Sequence, residues 1–205
     1  AYCCAFGYAT LQHNQANHIS GFGFQALANN STGVQNCAFG SNAGTYNDTG
    51  SFAAFFGYGA GFNNTSGTQN SYFGDEVGYI GSTCGYNSGF GTTALYYNTG
   101  SYNSAFGSSA MLYNSTGQEN CAFGETALAA NTTGSYNSAF GRGAGATNSV
   151  GAYNTFFGHL AGSYSIGSIG STLIGAASGL TLSTGLLCTA VGKDSMRSNS
   201  SGNYN

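Results

Sequence analysis

An alternating pattern of side chains recurs along the whole chain and ends each time at a glycine. In the copy spanning 101–117, Ser104 and Phe106 fall on one side of an extended segment, while Asn103 and Ala105 fall on the other. The repeat glycines are 17 residues apart nine times and 16 residues apart twice, at positions 7, 23, 40, 57, 74, 91, 107, 124, 141, 158, 175 and 192. Period-two alternation at this spacing predicts one short β-strand in each copy.

The length of the repeat limits the fold. A period of 17 residues is too short for the helical repeats of tetratricopeptide, ankyrin or armadillo proteins, but it suits one coil of a β-solenoid. We predict an all-β fold: one parallel β-solenoid, or β-roll, of about twelve rungs and roughly 55–60 Å in length. It occupies residues 1–205 as a single repeat region, which we expect to be part of a longer chain.

The residue before the repeat glycine is phenylalanine in ten copies, which predicts a buried aromatic column inside the coil. Those residues are Phe6, Phe22, Phe39, Phe56, Phe73, Phe90, Phe106, Phe123, Phe140 and Phe157. Stacked about 4.8 Å apart, their rings would form a continuous ladder. The opposite side of the strand, at Ala105 and its equivalents, is then predicted to face another copy of the chain, because an apolar face requires burial.

Asparagine recurs in two columns, for which we predict structural ladders of stacked amides. One lies in the strand, at Asn36, Asn70, Asn87, Asn103, Asn120, Asn137 and Asn154. The other precedes a turn that we expect to be exposed, and it generates possible N-glycosylation sites. These sites are Asn30, Asn47, Asn64, Asn114, Asn131 and Asn199, with Asn29 and Asn63 beside them.

Charge is scarce and localised. Charged residues are 4% of the chain, the net charge is −3, and proline is absent. Three cationic side chains are too few for the usual mode of nucleic-acid binding, and no apolar run is long enough to span a bilayer. Six of the charged residues occupy the two positions after the repeat glycine, which predicts a solvated corner: Asp75, Glu76, Glu125, Arg142, Lys193 and Asp194.

No residue set predicts catalysis, a metal or a cofactor. Cys4 and Cys37 share a column two rungs apart, roughly 9.5 Å, which exceeds the reach of a disulfide, so we predict no intrachain disulfide. The cysteines and histidines lack the spacing of metal ligands, and the glycines are too dispersed for a phosphate-binding loop. We therefore predict a protein that is not an enzyme.

The repeats resemble the head repeats of trimeric autotransporter adhesins, and also related repeats of bacterial surface proteins and phage tail fibres. The resemblance rests on Asn-Ser-Ala-Phe-Gly at 103–107, Asn-Cys-Ala-Phe-Gly at 120–124 and Thr-Ala-Val-Gly at 189–192. It implies a left-handed parallel β-roll and three chains packed through small residues, here the Ala105 column. The adhesin repeat is shorter and has Ile or Val where this chain mostly has Phe, so the present coil should be wider.

These features favour a non-enzymatic extracellular or cell-surface fibre, structural or adhesive, assembled from copies of itself. A host surface or glycan is a possible further partner. One alternative is a phage tail-fibre shaft or receptor-binding segment, which a peptidase or tail-attachment domain beyond Asn205 would favour. Another is an ice-binding solenoid, since Ser and Thr are plentiful, although Thr32, Thr49, Thr116 and Thr133 lie at a turn.

Overall fold

The chain forms a stack of twelve short parallel strands. The computed structural model describes residues 2–199 and Asn203, and within this part it contains no helix. The strands are β1 (Cys3–Phe6), β2 (Ile19–Phe22), β3 (Cys37–Phe39), β4 (Ala54–Phe56), β5 (Ser71–Phe73), β6 (Ser88–Phe90), β7 (Ser104–Phe106), β8 (Cys121–Phe123), β9 (Ser138–Phe140), β10 (Thr155–Phe157), β11 (Thr172–Ile174) and β12 (Thr189–Val191).

Each strand pairs with the strands of the preceding and following repeats in one sheet of order β1 to β12. The register follows the repeat, so that Ser104 pairs with Cys121, Ala105 with Ala122 and Phe106 with Phe123. Every column of the sequence is therefore a column in space. This arrangement confirms the predicted all-β parallel solenoid.

Backbone hydrogen bonds also connect the rungs outside the strands. The Ser109 amide donates to Thr92 O of the preceding rung at 2.9 Å, and the Met111 amide donates to Ala127 O of the following rung at 3.0 Å. Ser109 and Met111 have left-handed φ angles of 55° and 50°, and this conformation recurs at equivalent positions of most rungs. Alternating backbone conformations thus let a non-strand segment bond to both neighbouring rungs.

The repeat glycine occurs where two rungs approach most closely. A Cβ on Gly107, whose φ is 137°, would lie 2.6 Å from the carbonyl carbon and oxygen of Gly124. Backbone atoms cannot move aside as a flexible side chain can, and this φ strains any residue with a Cβ. The column of glycines is therefore a requirement of rung stacking.

The side of the strand that carries Ala105 faces the interior, which reverses the predicted orientation. We define the Ala column as the position two residues before the repeat glycine, and it is buried from Gly21 to Ala190. Because Ala105 and its equivalents fill the coil, they are not a contact face for another chain. The members are Ala5, Gly21, Ala38, Phe55, Tyr72, Gly89, Ala105, Ala122, Ala139, Phe156, Leu173 and Ala190.

Large and small residues alternate across the interior. Where the Ala column holds Ala105 or Ala122, the facing position six residues later holds a buried Met111 or Leu128. Where the Ala column holds a ring or leucine, that position is glycine, as in Phe55–Gly61, Tyr72–Gly78, Phe156–Gly162 and Leu173–Gly179. The narrow interior therefore accepts one large side chain per rung.

Both asparagine columns also face inward and connect the rungs. In the strand column, Asn103 Oδ1 accepts the Asn120 amide at 3.0 Å, and Asn103 Nδ2 donates to Gly117 O at 2.9 Å. In the turn column, Asn131 Nδ2 donates to Asn114 Oδ1 at 2.7 Å. Such buried bonds satisfy amides and turn carbonyls together, and they confirm the predicted structural role.

Candidate binding surface

The ten phenylalanines form the predicted ladder, but on the outside of the coil. Phe39, Phe123 and Phe157 are exposed, and the rings between them are half-buried. The prediction of a buried core column was therefore wrong for Phe6, Phe22, Phe39, Phe56, Phe73, Phe90, Phe106, Phe123, Phe140 and Phe157. The physical reason is space, because the interior accommodates a ring only where the facing residue is glycine.

Within this Phe ladder the rings lie face to face. From Phe22 to Phe140 the centroids of successive rings are 4.4–5.1 Å apart and the ring planes differ by 1–9°. The last ring, Phe157, is tilted by 31°. Because the neighbours cover each ring face, the ladder presents mainly ring edges to solvent.

A column of small side chains lies beside the Phe ladder. It consists of Cys4, Ser20, Cys37, Ala54, Ser71, Ser88, Ser104, Cys121, Ser138, Thr155, Thr172 and Thr189. Members such as Ser104 and Ser138 are half-buried, because their side chains are much shorter than the rings next to them. We call this set the small-residue column.

A tyrosine-rich column lies on the other side of the small-residue column. It consists of Tyr2, His18, Gln35, Phe52, Gln69, Tyr86, Tyr102, Glu119, Tyr136, Tyr153, Gly170 and Leu187, and all except Gly170 are exposed. Tyr86 and Tyr102 stack with centroids 4.7 Å apart, and Tyr136 and Tyr153 do so at 4.8 Å. The Glu119 carboxylate raises the pKa of Tyr136, because it disfavours a second negative charge nearby.

A second and shorter aromatic stripe follows the repeat glycines. Phe62, Tyr79 and Tyr96 stack in order at 4.8 and 5.1 Å, and Tyr97 stacks on Tyr113 at 5.4 Å. Burial and the Glu76 carboxylate raise the pKa of Tyr79 and of Tyr96. The exposed part of this stripe is therefore neutral at physiological pH and close to charge.

The charged corner lies on the surface, as predicted. Asp75, Glu125, Arg142 and Lys193 are exposed. Arg142 Nε donates to Glu125 Oε2 across one rung at 3.1 Å, with both side chains more than half exposed. An exposed pair of this kind contributes little to stability, so this corner provides solubility rather than rigidity.

The cysteines take the place of small side chains in several columns. Cys3, Cys4, Cys37, Cys84 and Cys121 are free thiols, and Cys188 is buried. Burial raises the pKa of Cys37, Cys84 and Cys121. At neutral pH these three are thiols rather than reactive thiolates.

The predicted glycosylation sites are mostly inaccessible, which corrects that prediction. Asn30, Asn47, Asn64, Asn114 and Asn131 are fully buried in the turn column of amides. Asn29, Asn63 and Asn199 are half-buried, and the Asn199 sequon extends to residues outside the described part. The exposed turn that we expected is the Ser/Thr segment that follows, whereas its asparagine is needed to bond the turn carbonyl.

Among residues 2–199, no three His, Cys, Asp or Glu side chains converge as metal ligands would. No helix in the described part is long and apolar enough to cross a membrane. Comparisons with protein-family models, with curated proteins and with solved structures find no match to this chain. The exposed aromatic and small-residue columns are therefore the best-defined candidate surface.

Proposed function

We propose that this chain is a non-enzymatic fibre or stalk protein of the cell surface or extracellular space, with a structural and adhesive role. The observation that supports this proposal is the unbroken connection of rungs along the axis. Strand pairing, amide ladders and stacked rings all run from one rung to the next. Such a chain gains length by repetition and presents the same surface chemistry at each rung.

A repeated surface suits adhesion through many weak contacts. Each outward column presents similar groups at a rise of about 4.8 Å, so a partner of matching period can be bound at many points. Linked weak contacts raise the overall affinity without any single strong site. A fibre of this design needs no enclosed pocket for its function.

Location and shape test the proposal directly. Antibodies against the purified chain should label filaments on intact cells of the source organism in immunogold electron microscopy. Purified protein should appear as a rod of about 55 Å by small-angle scattering. Labelling confined to the cytoplasm, or a globular scattering profile, would contradict the proposal.

The ice-binding alternative has less support from the geometry. Thr32, Thr49, Thr116 and Thr133 are exposed at one corner, but the adjacent hydroxyls bond within the coil. Ser115 Oγ, for example, donates to Thr132 O at 2.8 Å. One column of free-standing threonines is not a two-dimensional lattice, so thermal hysteresis should be absent from solutions of the protein.

A further inference from the structure

The Phe ladder, the small-residue column and the tyrosine-rich column together form what we call the aromatic face. Exposure alternates along the chain here: Tyr102, Ser104 and Phe106 face outward, whereas Asn103 and Ala105 face inward. Two aromatic ridges therefore flank a trough of small side chains along the axis. Alternate residues of a strand are about 6.6 Å apart, which is wide enough for an aromatic ridge of another molecule to enter.

The stacking of the rings restricts the partner. Sugar rings bind on the open faces of aromatic side chains, but successive Phe rings cover one another at 4.4–5.1 Å. Exposed ring edges suit the faces and small side chains of a packed protein surface. The aromatic face thus favours a protein partner over a glycan.

The charge distribution favours a dry contact. Glu119 is the one acidic or basic side chain in the three columns, apart from the histidine His18. Most charged residues lie on the corner after the repeat glycine, away from this face. Charged groups are depleted from the centres of protein interfaces, and burying this face desolvates few of them.

The available area matches a standard interface. Twelve rungs and the width from the tyrosine-rich column to the Phe ladder give a face of about 53 Å by 13 Å, or roughly 700 Å². A stable complex buries about 800 Å² on each partner. One complete aromatic face is therefore large enough to hold a dimer.

We propose that the aromatic face binds the same face of a second copy, with the two coils parallel. A twofold axis along the coil direction places the Phe ladder of each copy over the small-residue column of the other. Phe39 then lies opposite Cys37 of the second copy, and Phe106 lies opposite Ser104. The proposal rests on the proposed function, since it requires the stacked-coil rod.

The identical rise of the two molecules is the reason to choose a second copy. A partner must repeat at the rung spacing to place a ring against a small side chain at every rung, and another copy does so by construction. Isologous contacts of this kind also close, giving a pair rather than an unlimited sheet. An antiparallel pair would instead set ring against ring.

Charge placed in the trough tests the interface. The double variant Ser104→Asp/Ser138→Asp adds two carboxylates to the small-residue column, and the matched control Thr116→Asp/Thr133→Asp adds them to the exposed turn. Sedimentation velocity over a range of concentrations should show a dimer for the unaltered protein and the control. The trough variant should dissociate at least about a hundredfold more readily, because unpaired charges would be buried. Circular dichroism should show that both variants remain folded.

A monomer at every concentration, or equal weakening in the control, would overturn the proposed pairing. Neither result would affect the proposed function if scattering still shows a rod of about 55 Å. Loss of the rod itself would instead contradict the proposed function. The two proposals therefore fail by different measurements.

A cysteine substitution tests the orientation. Phe39→Cys places a thiol opposite Cys37 of the second copy, and mild oxidation should then give disulfide-linked dimers joined through positions 37 and 39. Tyr113→Cys, on the other aromatic stripe, is the control and should give no additional dimer. Mass spectrometry of the linked peptides reads the pairing. Dimers formed equally well through position 113 would overturn the choice of face.

Discussion

At the scale of single residues, the interior is governed by pairs in which one side chain is large and the other is absent. Phe55 illustrates the rule, because Cβ atoms built on Gly44 and Gly61 would lie 2.7 Å and 2.4 Å from its ring. Gly61 also has a left-handed φ of 62°. The ring therefore occupies the space that two glycines leave open.

Gly61→Ala should destabilise the protein by about 1–3 kcal/mol, the usual cost of overpacking a core. Chemical denaturation measures the change in the free energy of unfolding. In a Phe55→Ala background the same substitution should cost clearly less, because the ring that it meets has been removed. Additive effects of the two substitutions would show that Gly61 is required for its backbone conformation alone.

Tyr72 is an exception within the same interior. Its ring is fully buried, and its hydroxyl has no hydrogen-bond partner among the described residues. Burial, with the Cys84 thiol beside it, raises the pKa of Tyr72 well above the ordinary value. Phe55 and Phe156 occupy equivalent positions without a hydroxyl group.

We expect Tyr72→Phe to stabilise the protein by about 1 kcal/mol at neutral pH, because a buried unsatisfied hydroxyl is removed. The difference should grow above about pH 10. There the unfolded tyrosine loses its proton while the folded one retains it, so the unaltered protein loses stability as the pH rises. Urea denaturation of both proteins at neutral and alkaline pH measures this. A difference that shrinks with rising pH would contradict the assignment.

At the scale of the strand, alternation predicted the two sets of side chains but not which set faces inward. Phenylalanine is the more apolar residue, so hydrophobicity favoured an interior of rings over one of alanines. The deciding signal lies elsewhere in the repeat. Every large residue in the Ala column, such as Phe156, has a glycine six positions later, Gly162. Such compensation is expected only across a packed interior.

The two faces of the strand should respond differently to truncation of a ring. Phe55→Ala removes a fully buried ring and should cost about 3–5 kcal/mol. Phe106→Ala removes a half-exposed ring with two stacked neighbours and should cost about 1–3 kcal/mol, from stacking terms of roughly 0.5–1.5 kcal/mol each. Equilibrium denaturation of the two variants compares them. A larger loss for Phe106→Ala would place the Phe ladder in the core after all.

At the scale of the whole molecule, the repeat period made the architecture predictable. A fixed spacing of 17 residues places equal residues in columns whichever side faces inward, so the parallel solenoid followed from the period alone. The candidate surface did not follow, because it depended on the orientation of the strand. The hand of the coil and the number of chains stay predictions, since the residue spacing is the same for either hand.

The last prediction concerns the autonomy of the rungs. Deleting 118–134 removes one complete repeat and joins Gly117 to Ser135, so Phe106 would stack on Phe140 and Met111 would replace Leu128 inside the coil. Each rung contacts only its neighbours, and therefore stability should fall by roughly the contribution of one rung. The variant should retain the β circular-dichroism spectrum and give a rod shorter by about 4.8 Å in small-angle scattering. Deleting 118–125 is the matched control, because it is smaller but shifts every later column out of register. It should unfold or aggregate, and an equally well-folded control would mean that register does not hold the rungs together.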